Sequence, residues 1–311
     1  MPDIKENISL AELTTFQAGG MARYFAEVSS EAEALAAMDF ARTHQLPIFI
    51  LAGGSNLIVS TKGFPGLVIK PSFTELVIEE EKVRAGASVT MKELVDQTIA
   101  ANLAGLEWAG GLPGSFGGAI RGNAGCFGAE MKDIVSTVTS LDLHRGKKIT
   151  RENSQCQFVY RGSIFKQTKN ELILSATMTL THGDGGELRK IADSHIGYRQ
   201  EKHPMEHPSA GSIFKNVPVE KITKDVLAHF QSVVKTDPFP VVPAAAIIAE
   251  ADVKRLKIGG AALSDKHTNY IVNLGGATGE DIVAVIEAIK TAVKNKFRIS
   301  LEVEPELVGF D

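Results

Sequence analysis

Apolar and polar positions along the chain alternate between two periods. Residues 32–44 follow a helical pattern, opened by Ser29, Ser30 and Glu31, the residue types that cap and charge a helix start, and ended by Pro47. Apolar runs at 24–28, 48–52, 57–60 and 67–70 predict short strands, and the glycine turn at 53–56 makes 48–60 read as strand, turn, strand. Residues 77–79 and 82–84 form a hairpin pattern around Glu79, Glu80 and Glu81. Met91, Leu94, Val95, Ile99 and Ala100 place one apolar face on a helix over 90–102. The β-rich runs 134–144 and 173–180 read as strands. The glycine-rich loop 181–187 then marks a domain boundary. Beyond it the pattern predicts helices over 188–199, 244–251 and 279–297 and strands over 271–273 and 299–303, with a proline-rich loop at 237–243. There is no internal repeat and no low-complexity segment.

The pattern breaks down over 105–128, where glycine recurs too often for a regular helix or a packed strand, because ordering glycine costs backbone entropy. This stretch reads as a loop lined by its own main chain. Glycines let backbone N–H groups turn inward and form an anion-binding nest suited to a pyrophosphate, and Ser115 and Asn123 add polar side chains. The turn at 53–56 offers a second such cradle. Neither the dinucleotide fingerprint Gly-x-Gly-x-x-Gly nor the P-loop pattern occurs, so a Rossmann site and a P-loop ATPase are both unsupported.

Composition narrows the class. The 311 residues are enough for two domains with proper cores, and 44% hydrophobic with 23% charged residues is ordinary for a soluble globular protein. A net charge of −4 argues against nucleic acid or an anionic membrane as the main partner. No signal peptide is visible at the start, and no apolar run reaches the ~20 residues that span a bilayer. The two cysteines, Cys126 and Cys156, form neither a disulfide framework nor a Cys-x-x-Cys pair, which fits a cytoplasmic protein. His203 and His207 stand four apart, but Pro204 and Pro208 break the helix that would align them, so no metal site is expected.

Several separated motifs occur in one order: 16–20 (Phe-Gln-Ala-Gly-Gly), 53–56 (Gly-Gly-Ser-Asn), 111–118 (Gly-Leu-Pro-Gly-Ser-Phe-Gly-Gly) and 123–125 (Asn-Ala-Gly). Tyr160, Arg161 and Ser163 follow, then Gly211, Ser212, Phe214, Lys215 and Asn216, and finally Glu304, Pro305 and Glu306. In order and spacing, over essentially the whole chain, they resemble the UDP-N-acetylenolpyruvoylglucosamine reductase family. The resemblance implies an α+β protein with an FAD-binding domain of the vanillyl-alcohol-oxidase/PCMH type over 1–183, in two subdomains (about 1–72 and 73–183). A C-terminal α+β substrate-binding domain would follow over 184–311, its last strand carrying Glu306 back to the active site.

The implied activity is the NADPH-dependent, FAD-mediated reduction of UDP-N-acetylglucosamine enolpyruvate to UDP-N-acetylmuramate in peptidoglycan precursor synthesis, by a cytoplasmic monomer with small-molecule partners only. Residue by residue, the resemblance assigns FAD to Gly53, Gly54, Ser55, Asn56 and Leu57, to Gly111, Pro113, Gly114, Ser115, Gly117 and Gly118, and to Asn123, Ala124 and Gly125. It assigns catalysis to Arg161, Ser212 and Glu306, and substrate binding to Tyr160, Arg161, Lys215 and Asn216. Arg161 would face the substrate carboxylate with a planar, bidentate guanidinium. Ser212 would donate the proton, supported by Lys215, and Glu306 would hold or relay a proton. Glu304, two residues away, would point to the opposite face of a strand.

Two departures stand out. No tyrosine-bearing insertion lies between Arg161 and Ser212, which resembles the subgroup lacking that loop and leaves the substrate diphosphate without assigned contacts. Cys126 and Phe127 stand where Ala-Tyr is common. Asn56 occupies the place of the histidine that binds flavin covalently in relatives of the wider fold, which predicts non-covalent FAD. Trp108 reads as a core residue or loop anchor. The rivals are an FAD-dependent sugar or alcohol oxidase of the same fold, and a catalytically dead flavin-binding module.

Overall fold

The computed structural model describes residues 2–236 and 239–310, so Asp237 and Pro238 of the proline-rich loop lie outside the described residues. The chain forms two compact units. The first comprises Met1–Ile8, Ala22–Gly53 and Pro65–Arg199, and the second Ser9–Met21, Gly54–Phe64 and Gln200–Asp311.

The first unit holds two larger sheets, beside the short pairs Gly125–Cys126 with Ala129–Glu130 and Leu103–Ala104 with Thr181–His182. One has the strand order Ile4–Ser9, Met21–Val28, Phe64–Pro71, Ile48–Ile50, the last two running parallel with Ile48 opposite Leu67. Helix Glu31–Thr43, capped by the Ser30 hydroxyl accepting from the Glu33 N–H, buries Ala34, Ala37, Met38 and Ala41 against it. The other sheet is antiparallel, in the order Lys148–Glu152, Val135–Asp142, Glu171–Thr179, Lys82–Gly86, Leu76–Glu79. Its core takes Met91, Leu94, Val95 and Ile99 from helix Met91–Ala100, the face predicted by their spacing.

In the second unit the long helix Gly279–Phe297 buries Ile282, Val285, Ile286, Ile289 and Val293 at three- and four-residue spacing. Thr278 and Asp281 close its start with a capping box, the Thr278 hydroxyl accepting from the Asp281 N–H and the Asp281 carboxylate from the Thr278 N–H, both at 3.0 Å. The helix packs with an antiparallel sheet of Lys257–Ile258, Ala261–Leu263 and Ile271–Asn273. A parallel pair, Leu57–Val59 with Glu306–Val308, completes the unit.

Four features differ from the sequence pattern. The division falls after Arg199 rather than Gly183, because helix Gly185–Lys202 buries Leu188 and Ala192 in the first unit's core, and Gly110 lies so close that a Cβ there would stand 2.4 Å from the Ala192 carbonyl oxygen. Residues 9–21 and 54–64 join the second unit because Phe16, Ala18 and Ile58 pack in its core with Phe214 and Ile282. The runs 48–50 and 57–59 are strands on either side of the glycine turn, as the pattern predicts, and they belong to different sheets. Finally, the glycine-rich stretch is not all loop, and 299–303 is not a strand.

Residues Phe116–Gly122 form a helix started by Ser115, whose hydroxyl accepts from the Gly118 N–H at 3.4 Å, with Phe116, Ala119 and Ile120 turned into the core. Packing overrides glycine's low propensity here, since a Cβ at Gly117 would meet the Ala87 Cβ at 2.7 Å. Near the C-terminal end, Val303 makes only an isolated bridge to Phe214, and the strand begins at Glu306. The two-faced argument for Glu304 and Glu306 therefore loses its basis.

Candidate active site

In the first unit Gly53 meets the glycine loop at Gly114 and Ser115. A Cβ on Gly53 would stand 2.8 Å from the Gly114 Cα and 3.1 Å from the Ser115 nitrogen, so bare main chain faces bare main chain. Gly111 and Gly114 have φ of 72° and 97°, open to glycine and strained for other residues. Residues 114–117 are stitched to the segment before helix Met91–Ala100: Met91 N–H donates to Gly114 O (3.1 Å), Phe116 N–H to Val89 O (2.9 Å) and Gly117 N–H to Ala87 O (2.8 Å). Beside this junction lies a cavity of about 330 Å³, lined among others by Gly53, Lys70, Ser88, Thr90, Gly114 and Ser115. Exposed backbone, three hydroxyls and two lysines, Lys70 and Lys92, fit an anionic dinucleotide with its diphosphate on the glycine main chain. Lys70, Ser88 and Thr90 escape sequence reading because they belong to no motif; only the Thr90 cap, which accepts from Glu93 N–H at 3.1 Å, leaves a sequence signal.

Not every expected cofactor residue faces outward. The Gly117 and Gly118 amides are engaged by Ala87 O and the Ser115 hydroxyl. Asn123 is fully buried, with φ of 43°. Its amide donates to Glu130 Oε2 (3.2 Å) and Val159 O (3.0 Å) and accepts from Lys132 N–H (3.0 Å), so its side chain organises the loop from within. Ala124 N–H bonds Ala119 O at 2.8 Å, and Gly125 pairs with Glu130. Trp108 anchors the stretch, donating from Nε1 to Gly105 O at 3.0 Å.

Arg161 stands at the corner of a tight turn in which Val159 and Gly162 exchange N–H···O bonds of 3.0 Å. Its φ of 57° lies in the left-handed region, at a cost of about 1–3 kcal/mol. The guanidinium donates to Gly125 O at 2.8 Å and lies 4.9 Å from the Tyr160 ring centroid, which ties it to the glycine stretch. Nearby, burial pushes the Cys126 thiol above its usual pKa although Arg199 and Arg161 pull it down, and burial lifts Cys156 to about 11. Neither is a ready thiolate nucleophile.

Ser212, Lys215, Asn216 and Glu306 belong to the second unit, Arg161 to the first. The chain around Ser212 lies beside the segment leading to Glu306: Glu304 N–H donates to Ile213 O (2.8 Å) and Lys215 N–H to Glu302 O (2.9 Å). Glu306 is half-buried with its Oε2 inaccessible to water, and its N–H donates to Asn56 O at 3.0 Å. Lys215 forms an ion pair with Glu302, an acid the motifs did not single out. The Asn216 side chain accepts from Ala244 N–H at 3.1 Å and so caps helix Ala244–Ala249. Within the second unit His203 Nδ1 meets the Tyr270 hydroxyl at 3.0 Å. Among the described residues no cluster of histidine, cysteine and acid side chains could hold a metal, and no helix is long and apolar enough to cross a membrane.

Comparison with known proteins places this geometry. Residues 22–149, which include the cavity and both glycine loops, match an FAD-binding domain model, and residues 203–308 match the model of the UDP-N-acetylenolpyruvoylglucosamine reductase C-terminal domain. A protein of Solibacter usitatus named UDP-N-acetylenolpyruvoylglucosamine reductase is 35% identical over 98% of this chain and 97% of its own length. The chain belongs to the UDP-N-acetylenolpyruvoylglucosamine reductase family. A second reductase of that name, from Caldanaerobacter subterraneus, is 36% identical over 95% of this chain and 90% of its own. The crystal structure of the Thermus caldophilus reductase superposes with a TM-score of 0.78 at 26% identity, covering 99% of this chain and all of that one. The protein is thus an α+β flavoenzyme of the oxidoreductase class, with an FAD-binding domain and the family's C-terminal domain.

Proposed function

We propose that the protein reduces UDP-N-acetylglucosamine enolpyruvate to UDP-N-acetylmuramate, with NADPH as reductant, for peptidoglycan precursor synthesis in the cytoplasm. The observation that carries this reading is full-length relationship to reductases of that name, together with a glycine-lined dinucleotide cavity in the matching domain. Non-covalently bound FAD would accept hydride from NADPH and deliver it from N5 to the terminal carbon of the enol ether. Gly53 and Gly114 would bring bare backbone against its diphosphate, with Lys70 supplying charge.

Hydride addition leaves an electron pair on the carbon next to the carboxylate, so charge grows there in the transition state. Arg161 is the group suited to that charge: a guanidinium stabilises a carboxylate-like dianion bidentately, and its strained backbone fixes its aim. Ser212 would give its hydroxyl proton to that carbon. Glu306 would hold a proton for the intermediate or return one to Ser212. Tyr160, stacked under the guanidinium, keeps Arg161 from rotating away. Lys215 and Asn216 would shape the substrate region from the turn they brace. The protein would act as a monomer on small molecules alone.

The direct test is turnover. NADPH should be consumed only when the enolpyruvyl sugar nucleotide is present, and the product should gain two hydrogens by mass. Consumption with air or a simple sugar, and none with this substrate, would overturn the proposal in favour of an oxidase.

A further inference from the structure

Ser212 lies on a segment without a regular strand, directly after Gly211, whose φ is 76°. A hydroxyl is a weak acid, and it transfers a proton only from within hydrogen-bond reach of the receiving atom. Whatever fixes this segment therefore sets the rate of that step.

Beside the main-chain bonds to Glu302 and Glu304, one side chain braces the segment immediately after Ser212. Asn269, only 4% exposed, accepts the Phe214 N–H on Oδ1 at 2.9 Å and donates from Nδ2 to Phe214 O at 2.8 Å. Its own carbonyl accepts the Ile213 N–H at 2.8 Å, and Tyr270 bridges Ser212. The side-chain amide thus imitates a strand partner, donor and acceptor together, immediately beyond Ser212. Few side chains have this chemistry: aspartate lacks the donor, leucine lacks both groups, and glutamine is a methylene too long for the buried space. On the far side, Asn269 N–H donates to His267 Nδ1 at 3.2 Å, which ties the clamp to a half-buried imidazole.

We propose that Asn269 is the positioning residue for Ser212, holding the Phe214 peptide so that the serine hydroxyl keeps one place over the acceptor carbon. The inference rests on Ser212 being the proton donor. Misplacement of a reacting group by an ångström costs on the order of 10²-fold in rate.

The test compares Asn269→Asp with Asn273→Asp in the flavin-loaded enzyme. Asn273 is an equally buried asparagine of the same unit, donating to Phe16 O (2.9 Å) and accepting from Gly275 and Ala277 N–H. Asn269→Asp should leave flavin reduction by NADPH within about twofold, slow flavin reoxidation by the enolpyruvyl sugar nucleotide roughly 10²-fold and enlarge the solvent deuterium isotope effect on that step. Asn273→Asp should lower the melting temperature yet keep the wild-type reoxidation rate and isotope effect. Identical behaviour of the two variants would overturn the inference. Ser212→Ala separates the two levels. If it reoxidises normally, the proton-donor reading itself fails; if it is slow while Asn269→Asp is normal, only the positioning role fails. Should Asn269→Asp not fold, hydrogen exchange of the wild type decides: amides 213–215 should be protected like helix Gly279–Phe297, and exchange as fast as loop 203–208 would contradict the clamp.

Discussion

The Glu306 N–H donates to the Asn56 carbonyl at 3.0 Å, so the residue proposed above to handle a proton is pinned to the last position of the Gly-Gly-Ser-Asn loop. The Asn56 side chain donates in return to Glu304 O at 3.4 Å, and Leu57–Val59 continues the contact as a parallel pair with Glu306–Val308. A loop chosen by its glycines for a cofactor thus also sets the register of a strand some 250 residues away in sequence. Register matters because a slip by one residue would turn Glu306 to the other face.

The cofactor cradle gives the first expectation. Gly53→Ala would place a methyl 2.8 Å from the Gly114 Cα, backbone against backbone, where nothing flexible can give way. The variant should fold, by circular dichroism, but bind FAD at least ten times more weakly, about 1.4 kcal/mol or more. The flavin-to-protein absorbance ratio after purification reads this directly, and a wild-type ratio would contradict the cradle.

Arg161 should not be replaceable by lysine. Arg161→Lys keeps the charge but loses the planar fork and its contact with Gly125 O. We expect reoxidation of reduced flavin by substrate to slow by roughly 10²–10³, the cost typical of removing one transition-state donor, with reduction by NADPH little changed. Stopped-flow measurement of the two half-reactions separates these outcomes. An equal loss in both would assign Arg161 to folding or flavin binding.

Much of the fold is legible in the sequence, for reasons particular residues make clear. Helix Gly279–Phe297 announces itself through Thr278 at its cap and an apolar face of six buried side chains, and the hairpin through three consecutive glutamates at its turn. The helix Phe116–Gly122 was hidden because its glycines serve packing against Ala87 rather than propensity. The interleaved units were hidden too, since membership of 9–21 and 54–64 depends on Phe16 and Ile58 meeting residues over 150 positions away in sequence. In the site, glycine and charge motifs were legible as chemistry. The residues that hold them, Asn269 above all, carry no local pattern, and the internal partners of Asn123 and Asn216 are visible only in the structure.

Asn123 makes that distinction measurable. Asn123→Ala removes three internal hydrogen bonds from a fully buried site, strands the Lys132 N–H and the Val159 carbonyl, and puts alanine at a φ of 43°. Equilibrium urea unfolding should show a loss of about 3 kcal/mol. A purely ligand-binding asparagine would leave the stability of the flavin-free protein unchanged.

His267 predicts a pH dependence. Burial is the main cause holding its pKa below the ordinary 6.5, and the charge of Lys235 adds to it; the His203 and Tyr270 rings pack against the imidazole. The unfolded chain therefore takes up a proton at a pH where the folded protein does not. Stability should be level above about pH 7 and fall as pH drops below 6.5 toward the lowered folded pKa. Protonation also takes Nδ1 away as acceptor for Asn269 N–H. The difference in melting temperature between wild type and His267→Gln should shrink as pH falls through this window; a constant difference would show that His267 does not titrate there.

The central claim is that one flavin passes hydride from NADPH to an enolpyruvyl sugar nucleotide, and an anaerobic absorbance titration tests it most directly. The account predicts a yellow protein bleached by one equivalent of NADPH and restored by one equivalent of UDP-N-acetylglucosamine enolpyruvate, with UDP-N-acetylmuramate formed. Flavin that NADPH cannot bleach, or that recovers its colour only with oxygen, would contradict it.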